Sequence, residues 1–225
     1  MRITKKCGIC GYEFTYDNDI YVDPLVLPFD EGARYYYDLW HDFVEVCPHC
    51  GYASFDVSNA IDKSIIKNEW FNSLKDMPII KTLERARPNR IADYLSASIY
   101  YDSIGNRIDY AKCMLQASDL VYAEMMYWDE YMLDSNDSLS AIQNKFQYNE
   151  FKEFADGLFV KGVDALDDYV KDFTNDIDAL ILLAGVLNTG DKIQQIKGAS
   201  IINKLNDMKL TPKQKLSVEF LESKL

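Results

Sequence analysis

The residues most able to do chemistry are four cysteines that stand in two matched pairs near the start of the chain. The pairs are Cys7-Gly8-Ile9-Cys10-Gly11-Tyr12 and Cys47-Pro48-His49-Cys50-Gly51-Tyr52, both of the form C-x-x-C-G-Y. A C-x-x-C turn places two sulfurs on one side of a tight loop, so two such turns supply four thiolates for one tetrahedral ion. The glycine after each second cysteine suits a turn that passes through positive φ. We predict that these cysteines bind one metal ion, Cys7, Cys10, Cys47 and Cys50 being the ligands.

Structural zinc is the leading expectation for this ion, because four cysteines fill the coordination shell and leave no open position for water. Disulfides are the first alternative. Residues 1–6 carry charge with no apolar core behind them, so no secretory signal is visible and a cytoplasmic location is expected. Thiols stay reduced there, which favours metal over disulfides. A redox-active C-x-x-C of the thioredoxin type needs a single copy at a strand-to-helix junction, and two matched copies disfavour it.

The two turns also resemble the two halves of a rubredoxin iron site. Ligand type and geometry do not separate zinc from iron in a four-thiolate site, so iron with a redox role stays open. The 36 residues between Cys10 and Cys47 exceed the usual spacer of about 15 to 20 residues, which predicts an insertion over residues 17–42. The aromatic residues Tyr35, Tyr36, Tyr37 and Trp40 in this insertion are interpreted as packing the metal-binding module against the rest of the chain, with a binding loop as the alternative.

Two short strands are predicted around each turn, and helices are predicted for the remainder of the chain. The strands cover residues 2–6, 12–16, 43–46 and 52–55. The helices cover residues 58–77, 88–104, 107–133, 138–173, 175–189, 192–208 and 213–225, with a break considered near Gly157 or Gly162. The predicted fold is mainly α, with a small β zinc ribbon at residues 1–57 and an α-helical domain at 58–225. Helical hairpins closed by Gly105-Asn106 and Gly190-Asp191 are typical of a tetratricopeptide-like array.

The order of these parts resembles a bacterial family of unknown function. Residues Val46-Cys47-Pro48-His49-Cys50-Gly51-Tyr52-Ala53 are similar to its second cysteine turn, and Cys7-Gly8-Ile9-Cys10-Gly11 to its first. The resemblance implies a cytoplasmic protein with an N-terminal zinc ribbon, a tetratricopeptide-like helical remainder and no assigned activity.

Composition limits the classes of partner. The chain has 225 residues and a net charge of −12, and the basic residues before position 58 are only Arg2, Lys5, Lys6 and Arg34. Binding of nucleic acid needs a basic surface, so it is not expected, and a protein or peptide partner, basic in character, suits the charge better. The longest run without a polar side chain, residues 179–187, is far shorter than the roughly 20 residues of a membrane helix.

No catalytic residue is predicted, because no hydrolase, nucleotide-binding or histidine metal motif is present. His41 beside Asp42 would be the candidate for an enzyme site between ribbon and helices, although a packed or solvated histidine is the favoured interpretation. Cys113 is interpreted as a small buried apolar residue. Methionine and aromatic residues are enriched at binding surfaces but are equally ordinary in helix cores. The patch around residues 125–133 is interpreted as helix core, and Tyr127, Trp128 and Tyr131 are the candidate partner-binding residues if it is instead a binding surface. The leading hypothesis is a non-enzymatic interaction or scaffold protein.

Overall fold

The computed structural model describes residues 2–17, 39, 43–59, 73–83, 90–132 and 138–225. The structural statements below concern these residues. His41, most of the insertion at 17–42 and the centre of the helix predicted at 58–77 lie outside them. In the two helices that flank residue 135, side chains are described up to Met126 and again from Gln147.

Two small antiparallel hairpins form the start of the chain, and each is closed by one of the cysteine turns. Strand β1 (Arg2–Lys6) pairs with β2 (Glu13–Asp17). Strand β3 (Glu45–Val46) pairs with β4 (Ala53–Ser54), with Glu45 opposite Ser54 and Val46 opposite Ala53. The four strands lie within about a residue or two of the predicted spans, so this prediction is confirmed.

The rest of the described chain is helical, as predicted, and the fold is mainly α with a small N-terminal sheet that carries the cysteines. The helices are α1 (Pro78–Leu83), α2 (Ile91–Ser103), α3 (Arg107–Met132), α4 (Ser138–Asp172), α5 (Ile177–Asn188), α6 (Lys192–Asn206) and α7 (Pro212–Glu222). None of the described helices combines the length and apolar content needed to cross a membrane.

The ends of these helices follow local chemistry. Gly105, at φ 72°, turns the chain between α2 and α3. Asp191 and Thr211 begin α6 and α7 with capping boxes, in which Gln194 and Gln214 return the hydrogen bond to the cap. Helix α5 begins at residue 177, two residues later than predicted, because Asp176 is its cap and accepts a hydrogen bond from the N–H of Ala179.

Helix α4 runs without a break through both of its glycines, so the interruption considered near Gly157 or Gly162 does not occur. At 35 residues this single helix is as long as a complete tetratricopeptide repeat of 34 residues. The described helices therefore do not establish a repeat, and the tetratricopeptide-like array stays a hypothesis.

The chain forms two compact units. One contains residues 4–15 and the described part of 43–162, which brings the cysteine turns together with α2 and α3. The other contains residues 163–225 and the described positions at 2–3, 16–17 and 39. The division into a zinc ribbon at residues 1–57 and a helical domain at 58–225 stays a prediction.

The second unit is organised around α5. Residues 179–187 of this helix are all buried, because α6 and α7 both pack against it. Helix α6 contributes Gly198, Ile202 and Leu205 to this core. Ile193 and Ile196, two other apolar residues of this helix, are 78% and 64% exposed.

Candidate metal centre

The two cysteine turns meet, and their four sulfurs form one cluster. The Sγ atoms of Cys7, Cys10, Cys47 and Cys50 all lie within 4.8 Å of one another. Two contacts between sulfurs join the first turn to the second. The Sγ atom of Cys7 lies 3.7 Å from that of Cys50, and the Sγ atom of Cys10 lies 3.7 Å from that of Cys47. The predicted ligands are therefore together in space, although 36 residues separate the two turns.

The two turns have the same backbone geometry. The N–H of Cys7 donates to the carbonyl of Tyr12 at 2.9 Å, and the N–H of Gly11 donates to the carbonyl of Cys7 at 2.9 Å. The second turn repeats both bonds at 2.8 and 2.9 Å, between the corresponding residues of Cys47-Pro48-His49-Cys50-Gly51-Tyr52. Gly11 and Gly51 have φ values of 73° and 72°, a left-handed conformation that favours glycine.

The dimensions of the cluster fit a four-coordinate ion. Metal–sulfur bonds of about 2.3 Å directed to the corners of a tetrahedron place neighbouring sulfurs about 3.8 Å apart. The closest contacts of 3.7 Å match this edge length. A disulfide would need about 2.05 Å, and all of these cysteines are free, so sulfur-to-sulfur bonding is excluded. The described residues contribute no histidine or carboxylate to this cluster, so the donor set consists of four sulfurs.

Hydrogen bonds and burial act differently on the four thiols. Burial raises the pKa of the Cys7 thiol. The backbone N–H groups of Cys10 and Ile9 donate to its sulfur and lower the pKa, but their effect is smaller than that of burial. Burial also raises the pKa of Cys50 far above its usual range. At Cys10 burial is outweighed by donors, first the backbone N–H of Tyr12 and then the His49 side chain, which lower the pKa to about 6.

Without a cation, this cluster therefore holds a mixture of thiols and thiolate. A divalent ion supplies the positive charge that lets the buried sulfurs ionise. The backbone N–H groups that point at the sulfurs stabilise the thiolate form, as donors around metal ligands generally do.

One side of the cluster faces solvent. Cys7, Cys47 and Cys50 are buried, whereas Cys10 is exposed. His49 is exposed beside it, and its ring stacks on that of Tyr12 with the centroids 5.2 Å apart. The ring of His49 therefore lies on the solvent side of the turn, next to Cys10.

The second cysteine turn is packed on helix α2 through aromatic rings. The ring of Tyr52, only 1% exposed, meets Tyr100 edge to face at 4.9 Å. The ring of Phe55 lies 5.3 Å from that of Tyr101, whose hydroxyl accepts a hydrogen bond of 2.8 Å from the N–H of Phe55. The guanidinium of Arg90 donates to the carbonyl of Val44. These contacts hold the metal centre against the helices.

A partly buried ion pair joins the two hairpins. The ammonium of Lys5 on β1 lies 2.6 and 2.7 Å from the carboxylate oxygens of Glu45 on β3. The same carboxylate accepts the N–H of Val57 at 3.1 Å, and the carbonyl of Val57 accepts the N–H of Gly8 at 2.9 Å. Because Lys5 and Gly8 flank Cys7 while Glu45 precedes Cys47, this network fixes the distance between the two turns.

Sequence reasoning missed the residues of α2 that hold the ribbon. Tyr100 and Tyr101 belong to an ordinary apolar helix pattern in the sequence. Only the position of the second cysteine turn in the structure distinguishes them from the other apolar residues of α2. The insertion aromatics that were expected to serve this purpose lie outside the described residues. So do the side chains of Tyr127, Trp128 and Tyr131, whose backbone lies in α3. Cys113 is fully buried in α3 and takes no part in the cluster, as interpreted.

Comparison of the chain with family models, with curated proteins and with solved structures finds no match.

Proposed function

We propose that this chain is a non-enzymatic interaction or scaffold protein whose cysteine cluster binds structural zinc. The observation that carries the proposal is the convergence of four cysteine sulfurs to within 4.8 Å. Four protein ligands complete a tetrahedron, and a metal that catalyses hydrolysis normally keeps a position for water or substrate. The resemblance to a bacterial zinc-ribbon family of unknown function, drawn from the two turns, agrees with this role.

The proposed role of the ion is to stabilise the fold. Strands β3 and β4 have two residues each, and such a hairpin is at best marginally stable without further support. Ion binding adds its free energy to folding when the site is absent from the unfolded chain. Through Tyr52 and Phe55 this stabilisation extends to helix α2.

The scaffold part of the proposal rests on architecture and charge. The described chain is mainly helical, and the net charge of −12 suits protein or peptide partners of basic character better than nucleic acid. Tyr127, Trp128 and Tyr131 stay candidate partner-binding residues. Free thiols throughout the described chain suit the reducing environment of a cytoplasm.

Elemental analysis of protein purified without added metal tests the ion directly. We expect about one zinc ion per chain and no bound iron, and we expect the bound zinc to be lost when the four cysteines are replaced. Protein that folds with no bound metal would contradict the proposal. Turnover of a substrate by the pure zinc protein would contradict its non-enzymatic part.

An iron centre for electron transfer is the second candidate. Exposure of Cys10 favours it, because a solvent-facing ligand shortens the path for an electron to a redox partner. Backbone N–H groups directed at the sulfurs also tune the potential of iron–thiolate sites. A ferric four-thiolate site is red and a zinc site is colourless, so the absorption spectrum of protein as purified separates the two candidates.

A further inference from the structure

We propose that the outer face of helix α6 binds an acidic, amphipathic segment of a protein partner. The inference deepens the proposed function as an interaction protein, on which it rests, and it concerns a different surface from the predicted patch at Tyr127, Trp128 and Tyr131. It is carried by two exposed isoleucines and by the distribution of charge around them.

Ile193 and Ile196 form the apolar part of this face. Their exposed fractions are 78% and 64%, and a spacing of three residues places them on the same side of the helix. The buried side of α6, with Gly198, Ile202 and Leu205, packs against α5. On a helix of 3.6 residues per turn, the two isoleucines therefore lie on the side of α6 opposite its buried residues, so they are not at the edge of the core. Contact with a partner would remove the apolar surface of these two β-branched side chains from water, which is favourable in free energy.

The net charge of helix α6 is opposite in sign to that of the chain as a whole. Helix α6 contains Lys192, Lys197 and Lys204 and has no carboxylate of its own. Residues 192–225 contain seven lysines and three acidic residues, which gives this segment a net charge of +4. Since the whole chain has a net charge of −12, residues 1–191 have a net charge of −16. The C-terminal segment is therefore a basic region on an acidic protein.

Two of the three lysines keep their charge available to a ligand. Lys192 has no ion pair among the described residues, and the ammonium of Lys204 donates to the carbonyl of Thr174 at 2.8 Å and not to a carboxylate. Lys197 lies 2.6 Å from a carboxylate oxygen of Asp167, and its side chain stays 48% exposed. A partner with carboxylates beside an apolar face would match both the isoleucines and these ammonium groups.

The same observations disfavour other occupants. A twofold dimer through this face would bring the lysines of α6 against their own copies, because such an interface is self-complementary. Two isoleucines are a small apolar area compared with the continuous apolar face of a membrane-surface helix.

Fluorescence anisotropy with designed peptides tests the proposal on the full chain. The probe is a short, labelled helical peptide with leucines on one face and glutamates on the other. One control peptide has lysine in place of each glutamate, and a second has the same composition in scrambled order. We expect the acidic amphipathic peptide to bind at least about tenfold tighter than either control.

Matched variants locate the binding. The double variant Ile193→Ser, Ile196→Ser and the single variant Lys192→Glu are each expected to weaken binding about tenfold, whereas Val160→Ser, at another exposed apolar position on α4, leaves it unchanged. Amide chemical shifts of the wild-type chain provide a second measurement that needs no variant, and the peptide should shift those of residues 192–204.

Equal binding of the three peptides, or peptide shifts confined to other helices, would overturn the inference. So would stronger binding to phosphatidylserine vesicles than to the acidic peptide, or self-association that the double isoleucine variant abolishes. Failure here is distinguishable from failure of the proposed zinc role, because metal content is measured separately and α6 contributes no ligand to the cluster.

Discussion

At the scale of single residues, the cysteine cluster combines ligands in different environments. Cys7 and Cys50 are buried with raised pKa values, whereas Cys10 is exposed with a pKa lowered to about 6. An incoming ion thus meets the Cys10 thiolate at neutral pH and must displace protons from Cys7 and Cys50. Cys10 is accordingly the expected first ligand, and the buried thiols complete the shell.

Replacing one ligand should release the ion, while replacing the fifth cysteine should not. We expect Cys50→Ser to lose most of its bound metal, because a hydroxyl is a poor substitute for a thiolate in an all-sulfur site. Cys113→Ala is the matched control, since it removes an equally buried thiol that lies outside the cluster. Metal content and thermal unfolding of both variants are the measurements. Equal metal loss in the two variants would contradict the assignment.

Metal binding should release protons and weaken on acidification. Because the pKa values of Cys7 and Cys50 are raised, both thiols are protonated at neutral pH when no ion is bound. More than one proton should therefore leave per ion, and the affinity should fall by more than about tenfold for each unit that the pH is lowered below 7. Calorimetry in buffers of different ionisation enthalpy counts these protons. Release of no proton would mean that the thiols are already ionised.

At the scale of elements, α3 and α4 lie in close contact at a glycine. A Cβ placed on Gly162 would lie 2.7 Å from Cγ of Leu115 and 3.2 Å from the carbonyl oxygen of Ala111. Leu115 is almost fully buried, so its side chain has little room to move. This explains why a residue that usually weakens a helix stands inside α4.

Alanine substitutions at the two glycines of α4 should have opposite effects. Gly162→Ala should lower the free energy of unfolding by about 1–3 kcal/mol, because the added methyl group overlaps Leu115. Gly157→Ala is the control: nothing lies within 4 Å of its added Cβ, and it should raise stability by about 0.5–1 kcal/mol. Denaturant unfolding measures both changes. A neutral Gly162→Ala would show that the helices can separate without cost.

At the scale of the whole molecule, the metal centre belongs to one of two compact units. The cysteine turns share a unit with α2 and α3, and aromatic contacts between Tyr52 and Tyr100 and between Phe55 and Tyr101 connect them. The Lys5–Glu45 pair joins the two hairpins within the same unit. Loss of the ion should consequently affect more than the turns themselves.

Chelation should loosen the turns first and α2 with them. We expect hydrogen exchange to accelerate in residues 43–57 and 91–103 after the ion is removed, because the rings that hold α2 depend on the position of the second turn. Amides of α5, in the other unit, serve as the internal reference. Acceleration that is equal throughout the chain would indicate a single cooperative fold.

The sequence by itself determined the features that depend on neighbouring residues. The repeated C-x-x-C-G-Y motif was sufficient to predict the ligands and their hairpins, because a tight turn is specified by the residues within it. Gly105, Asp191 and Thr211 likewise marked helix ends through local hydrogen bonds and positive φ.

Only the tertiary structure decided which surfaces meet. Periodicity places Ile193, Ile196 and Ile202 among the apolar positions of one helix, but it does not say what covers them, and only Ile202 is buried. Tyr100 and Tyr101 contact the residues that follow the second cysteine pair because the second turn packs on α2. Position 162 of α4 has no room for a side chain because Leu115 fills the space beside it. Contacts between residues far apart in the chain depend on the shape of both partners, and a local pattern records only one of them.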